Sequence, residues 1–324
     1  MSKAIRIHTT GGPEVMQWED VPTPEPGPAE ALVHHTAVGL NYIDVYFRTG
    51  LYKLPSMPAT IGMEGAGVVR AVGADVTSVK VGDRVAYATA PVGAYATDRV
   101  LNAERLVKLP DGIDDQTAGA MMLQGFTAQY LIRRTYRVQP GEHILVHAAA
   151  GGVGLILCQW AKHIGAHVIG VVSTEKKAEV ARENGAERVI IGHSNMAAEV
   201  KRITGGAMVP VVYDSVGKDT FTASLDSLAP LGLMVSFGNA SGPVPPVDLG
   251  VLSAKGSLFL TRPSLATYTA KSADLQSTAA DLFDAVLSGA VKIRVNQTFP
   301  LKDATAAHEA LEARRTTGST VLIP

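Results

Sequence analysis

Between Glu142 and Ala166 the chain reads EHILVHAAAGGVGLILCQWAKHIGA, and its apolar positions change period midway. Ile144 to His147 form a short apolar run of strand length. Val153, Ile156, Leu157, Trp160, Ala161 and Ile164 then fall at the i, i+3, i+4 spacing of one helical face. A strand, a small-residue turn and an amphipathic helix are therefore predicted in that order. From about Thr135 onward, further apolar runs (His167 to Val172, Val189 to Ile191, Val211 to Asp214, Leu233 to Phe237) are separated by helix-length segments. This alternation predicts a parallel sheet with crossover helices.

The first ~120 residues follow another pattern. AIRIH, EALVHHTAVG, GAGVVRAVG and KVGDRVAYA are short β-like runs punctuated by glycine turns, so an all-β region is expected there. After GSLFLTRPS (Gly256 to Ser264) the pattern changes again to one long helix, Ser272 to Ser288, and then to apparent strands ending in STVLIP. A tail of that kind is able to rejoin the N-terminal β region, which would make the α/β part an insertion. The predicted class is α/β, a doubly wound parallel sheet plus a β-rich domain, with boundaries at 1–124, 125–264 and 265–324.

Composition narrows the function classes. With 324 residues the chain is about twice a typical ~150-residue domain, so two domains are expected. The 29 basic residues balance 30 acidic ones, without the charge excess of a nucleic-acid or polybasic membrane binder. No stretch approaches the roughly 18 apolar residues of a membrane span, and Met1 to His8 lacks an apolar leader-like run. A soluble cytoplasmic protein with a small ligand is expected. One cysteine, Cys158, leaves no internal disulfide to form.

The turn carries the chemistry. Against the pattern G-x-G-x-x-G, Ala149 takes the first position while Gly151 and Gly154 keep the second and third. Gly151 would let a diphosphate approach the backbone, Gly154 would let the helix pack closely on the strand, and the helix start offers free N–H groups. Packing alone is the competing reading of such small residues, and the strand-turn-helix context favours a dinucleotide. The next strand ends in Ser173-Thr174-Glu175-Lys176-Lys177. Ser173 and Lys177 suit a 2′-phosphate. Glu175 suits either ribose hydroxyls or a helix first turn, and by themselves the two lysines fit a solvated helix face better than a ligand site.

With those motifs in hand the chain resembles the quinone oxidoreductases of the zinc-independent medium-chain dehydrogenase/reductase superfamily, the zeta-crystallin-like branch. The resemblance rests on GGPEVM, VGLNYIDVYFRTGLY, GMEGAGVVRAVG, VGDRVAY, HAAAGGVG, VVYDSVG, GLMVSFGNASG, LTRPSL and GSTVLIP, in order along nearly the whole chain. It implies a GroES-like domain formed by both chain ends, a Rossmann domain between them, NADPH as cofactor with the nicotinamide in the cleft, and a homodimer paired through the GSLFLTR strand. It also implies that Asn41 and Tyr46 lie near the nicotinamide ribose and ring, that Thr127 and Tyr130 lie beneath it, and that Gly152 and Val153 hold the diphosphate. Ser173 and Lys177 would meet the 2′-phosphate. Ser215, Phe237, Gly238 and Ser241 would run along the cofactor, Leu265 would sit near the ring, and Arg314 would reach in from the C-terminal segment. Where relatives often carry a 2′-phosphate tyrosine, this chain has Ile191-Gly192-His193, so His193 is the candidate substitute.

Zinc-dependent cousins need three or four Cys, His or carboxylate ligands. Here Met63 occupies the histidine position of GMEGAG, and Asn41 lies where a first ligand would be. No metal is expected, and Glu64 is assigned to a polar network. His143 and His147 share a strand face, His34 and His35 point to opposite sides, and none has a ligand-spaced partner. A small quinone is the expected substrate, with Tyr46, Tyr52 and Asn41 lining its site and no acid or base singled out. Reduction of activated C=C bonds in enals or enones is the alternative within enzymes. An NADPH-binding structural or RNA-binding role is the alternative outside them.

Overall fold

The computed structural model describes residues 1–324, which divide into two compact units. The first comprises Met1–Phe126, Thr269–Phe283 and Ile293–Pro324; the second comprises Thr127–Tyr268 and Asp284–Lys292.

The first unit opens with β1 (Ser2–Ile7), β2 (Met16–Val21), β3 (Glu30–Leu40), β4 (Ala59–Thr60), β5 (Glu64–Val72), β6 (Arg84–Ala88), β7 (Asp98–Asn102) and β8 (Val107–Lys108). β1 pairs antiparallel with β2 and β4, while β3 and β5 form the spine of a larger sheet. Alternation drives this. Along β3, Ala31, Val33 and His35 are buried while Leu32, His34 and Thr36 are less so. His34 faces outward to Asp98 (2.8 Å), whereas His35 is buried between the Ala96 carbonyl and the Tyr87 hydroxyl (both 2.7 Å).

Two helices interrupt the expected all-β region. The first, α1 (Tyr42–Thr49), begins at Asn41, whose backbone N–H donates to Asp44 Oδ2 (2.9 Å), and ends at Gly50 in the left-handed region (φ 83°). The second, α2 (Asp115–Tyr130), is buried over most of its girth from Ala118 onward. A helix apolar on all sides has no periodic face, so its pattern does not announce it.

The second unit holds β9 (His143–His147), β10 (His167–Val172), β11 (Arg188–Ile191), β12 (Val209–Asp214), β13 (Leu228–Ser236) and β14 (Phe259–Thr261). All are parallel, in the order β11-β10-β9-β12-β13-β14. This is the doubly wound arrangement, with its topological switch between β9 and β12. β13 starts five residues earlier than expected, because Leu228 pairs with Val209 before a register shift around Leu231, whose φ is 63°.

The connecting helices are α3 (Gly152–Ile164), α4 (Glu175–Glu183), α5 (Met196–Ile203), α6 (Phe221–Asp226) and α7 (Gly250–Ala254), followed by α8 (Leu265–Tyr268). Of the apolar face expected for α3, Ile156, Leu157, Trp160 and Ala161 are buried and Val153 and Ile164 only half-buried, while Leu155 and Cys158 are covered as well. The long helix α9 (Ser272–Leu287) follows. The chain then adds β15 (Val295–Pro300), a helix not expected from the pattern, α10 (Ala304–Glu312), and β16 (Ser319–Ile323). β16 pairs antiparallel with β3, so the tail completes the first unit's sheet.

Candidate functional site

β9 ends at His147, and the chain turns through Ala148 (φ 49°), whose carbonyl accepts the Gly151 N–H at 2.8 Å. Gly151 is the N-cap of α3 and has no side chain to satisfy the helix's first donors. The N–H groups that open α3 are therefore free to meet an anion, in the direction the helix dipole favours. Gly154 is the tight point. A Cβ there would lie 2.2 Å from the Ala148 carbonyl oxygen and 2.8 Å from Ala149 Cα, both backbone atoms. At Gly151 only the Ala148 oxygen comes near, at 3.2 Å, so that side of the turn stays open.

The other candidates in the second unit gather at the same edge of the sheet, because each follows the C-terminal end of a parallel strand. Ser173 follows β10, His193 follows β11, Ser215 follows β12, Phe237, Gly238 and Ser241 follow β13, and Leu265 follows β14. Ligands of open α/β sheets bind along this edge. Thr174 caps α4, its hydroxyl accepting the Lys177 N–H at 3.3 Å, which places Lys177 in the helix's first turn beside Ser173. Glu175 sits in the first turn of α4 and turns along its own helix to Arg182 (2.8 Å). Thr127 and Tyr130 lie on α2, and the Tyr130 ring stacks on Tyr268 with centroids 4.4 Å apart and planes within 9°.

The turns after β12 and β13 are bound to each other. A Cβ at Gly238 would lie 2.3 Å from the Ser215 carbonyl oxygen. Ala240 N–H donates to Ser215 O (3.2 Å) and Ser241 N–H to Val216 O (2.8 Å). The Ser241 hydroxyl donates to Val216 O (2.9 Å) and accepts the Asp219 N–H (3.1 Å), so this side chain braces the rim. Arg262 at the end of β14 donates to the carbonyls of Ser236 (3.1 Å) and Gly238 (2.9 Å).

The first unit holds the remaining candidates. Tyr46 and Tyr52 meet edge to face with centroids 5.3 Å apart, and Tyr42 adds a third ring 6.3 Å from Tyr46. Arg314 acts on the same group, its charge opposing the rise that burial imposes on the Tyr42 hydroxyl.

Asn41 is nearly buried and its amide is committed. Its Nδ2 donates to Glu64 Oε1 (2.6 Å), and its Oδ1 accepts from Gln124 Nε2 (3.1 Å). Glu64 Oε2 accepts the Leu123 N–H (2.6 Å), and Gln124 Oε1 accepts the Ser319 hydroxyl (2.7 Å). Glu64 is thus part of a polar network, as expected. Burial pushes its pKa up to about 8 against the pull of these donors. Asp44 is likewise raised by burial, to about 7, although its Oδ2 accepts from Asn41 N–H and from the Tyr95 hydroxyl (3.2 Å).

Several contributors were not read from sequence. Gln124 reaches Asn41, and Ser319 reaches Gln124, across long sequence separations that leave no local signal. Tyr42 lies four residues before Tyr46, a spacing that points to one face only once α1 is recognised. Tyr268 and Asp214 likewise gain meaning only from their spatial partners. Met63 and Cys158 are both buried, and burial pushes the Cys158 thiol up to about 12.

Comparison with known proteins agrees with this architecture. Residues 27–138 match the family model described as alcohol dehydrogenase GroES-like domain, and residues 152–284 match that described as zinc-binding dehydrogenase. A quinone oxidoreductase of Pseudomonas aeruginosa is 55% identical over 325 aligned residues, spanning 100% of both chains. A 2-haloacrylate reductase from Burkholderia sp. is 45% identical, over 100% of this chain and 99% of that one. The crystal structure of Escherichia coli quinone oxidoreductase complexed with NADPH superposes with a TM-score of 0.97 at 48% identity, covering 99% of this chain and 100% of that one.

Proposed function

Because this chain belongs to the quinone oxidoreductases of the medium-chain dehydrogenase/reductase superfamily, we propose that it holds NADPH along the C-terminal edge of its parallel sheet and reduces a small quinone without a metal. It is an NADPH:quinone oxidoreductase. The observation that carries the placement is the turn after β9, where free backbone N–H groups face outward and Gly154 leaves no room for a side chain behind them.

In this reading the N–H groups of Gly152 and Val153, with Gly151 open beside them, hold the diphosphate. Ser173 and Lys177 hold the 2′-phosphate by hydrogen bond and charge, with His193 at the same edge. Ser215, Phe237, Gly238 and Ser241 form the rim, and Thr127, Tyr130 and Leu265 contact the nicotinamide half. The family resemblance also assigns Asn41, Tyr46 and Arg314 to the coenzyme and Asn41, Tyr46 and Tyr52 to the quinone, and the two tyrosines carry hydroxyl donors suited to quinone oxygens. When bound, NADPH supplies the reducing equivalents.

The metal-free reading follows from the substrate. A carbonyl reduced to an alkoxide calls for a Lewis acid, whereas a reduced quinone is a phenolate whose pKa is about 10, like tyrosine, so water can protonate it. The chain's task is then to orient the two reactants and keep the site dry. A cytoplasmic location is part of the same proposal.

A homodimer is part of the same proposal. β14 pairs on one side only, with β13, and exposes Phe259 (60%) and Leu260 (36%) along the open edge of the sheet. Sedimentation at low micromolar concentration reads the assembly, and a particle of the chain's own 34.0 kDa would contradict it.

Titration of the free protein with NADPH and NADH tests the coenzyme assignment. Lys177→Ala is expected to weaken NADPH about tenfold, or about 1.4 kcal/mol, and to leave NADH unchanged. Equal affinities for the two coenzymes, or an unaffected variant, would overturn the 2′-phosphate site. The Burkholderia relative favours a second reading, reduction of an activated C=C bond. Turnover of a small quinone set against that of an enal separates the two.

A further inference from the structure

Asp214, the last residue of β12, is fully buried and accepts four hydrogen bonds. Its Oδ1 takes the N–H groups of Val216 (2.8 Å) and Gly217 (3.0 Å). Its Oδ2 takes the hydroxyls of Thr220 (2.7 Å) and Ser224 (2.8 Å). Ser224 in turn lies 2.9 Å from His147 Nε2. A serine hydroxyl has one proton, and Ser224 gives it to Asp214, so the imidazole must be the donor in the second contact. His147 therefore carries its proton on Nε2. Burial lowers its pKa, with the Asp214 charge opposing that shift and His193 adding to it.

The placement of these groups is informative. His147 is the last residue of β9 and directly precedes Ala148 and the turn. Asp214 directly precedes Ser215. One hydrogen-bonded chain therefore joins the ends of the two strands that flank the switch in sheet order. Movement at Ser215 would pass to the neighbouring rim, because Gly238 packs against its carbonyl and Ala240 bonds to it. The carboxylate satisfies the backbone donors of its own turn and, through Ser224, ties that turn to the end of β9, so it fixes geometry at both strand ends.

We infer that Asp214, acting through Ser224 and through its own turn, is a positioning residue for the coenzyme, holding the strand ends of β9 and β12 at the separation the nucleotide requires. The inference rests on the coenzyme placement proposed above. It adds that this crevice is set before the ligand arrives.

Its test is a fluorescence titration of the free protein with NADPH. Ser224→Ala is expected to raise the NADPH Kd about tenfold and to leave the KM for quinone within twofold. Val200→Ala, which truncates a buried side chain of α5 in the same unit, is the control for lost stability. It is expected to lower Tm without changing Kd. If Ser224→Ala lowers Tm as Val200→Ala does and its Kd stays within twofold of the unmodified protein, the positioning role is overturned. Should Ser224→Ala fail to fold, Thr220→Ala removes the other hydroxyl on Oδ2 and is judged by the same criterion. The titration needs no quinone, so absent quinone turnover in the unmodified protein would count against the proposed reaction and leave this criterion in force.

Discussion

Gly154→Val is expected to abolish NADPH binding, with Kd raised at least a hundredfold in fluorescence titration. The β-carbon alone would overlap the Ala148 carbonyl oxygen at 2.2 Å and approach Ala149 Cα at 2.8 Å. Neither atom belongs to a flexible side chain, so relief requires that α3 move off the strand or that the turn be rebuilt. Ala148 already holds a positive φ, and Ala149 is packed from behind, leaving little slack on that side. Overpacking of this kind costs about 1–3 kcal/mol in stability, whereas the N–H groups that meet the diphosphate would be displaced outright. Binding should therefore fall further than stability. Titration paired with thermal unfolding checks this, and a folded Gly154→Val protein with unchanged Kd would show that the turn is not the anion site.

Glu64→Gln is expected to lower Tm at pH 6, by about 2 kcal/mol of stability, and to flatten its dependence on pH. An amide accepts through one oxygen only. Two donors, Asn41 Nδ2 and Leu123 N–H, meet this side chain; the hydroxyl oxygen of the protonated acid still offers a lone pair to one of them, an amide NH2 offers none, and a buried donor without an acceptor costs about 1–3 kcal/mol. The pH dependence follows from linkage. Burial raises the Glu64 pKa from 4.5 to about 8, and that of Asp44 from 3.8 to about 7. Between the lower and upper values the folded protein binds more protons than the unfolded chain, so stability falls as pH rises. The stabilisation from Glu64 is complete below about 4.5 and gone above about 8, with a slope of about 1.4 kcal/mol per pH unit between. Glutamine does not titrate, so the Tm gap between the two proteins should narrow from pH 6 to pH 9. Parallel curves across that range would contradict a raised Glu64 pKa.

What sequence made legible was whatever chemistry is local. The turn after β9 could be read because strand, small residues and helix are contiguous. The opposed faces of His34 and His35 follow from strand alternation alone. The α/β alternation after Thr135 likewise declares the parallel sheet. By contrast, α2 is buried on nearly all sides and shows no period. α1 is a short helix set among strands, marked only by Asn41, Asp44 and Gly50. The network around Asn41 draws on Glu64, Gln124 and Ser319, which only the fold of the first unit brings together. Asp214 could be seen as part of a family motif, but its partners His147 and Ser224 become meaningful only once β9 and β12 are known to be neighbours.

Determining the structure of the protein in complex with NADPH tests the central claim most directly. The diphosphate is expected on the backbone N–H groups of Gly152 and Val153, with the 2′-phosphate beside Ser173 and Lys177. A coenzyme bound elsewhere, with its phosphates away from the start of α3, would contradict the account.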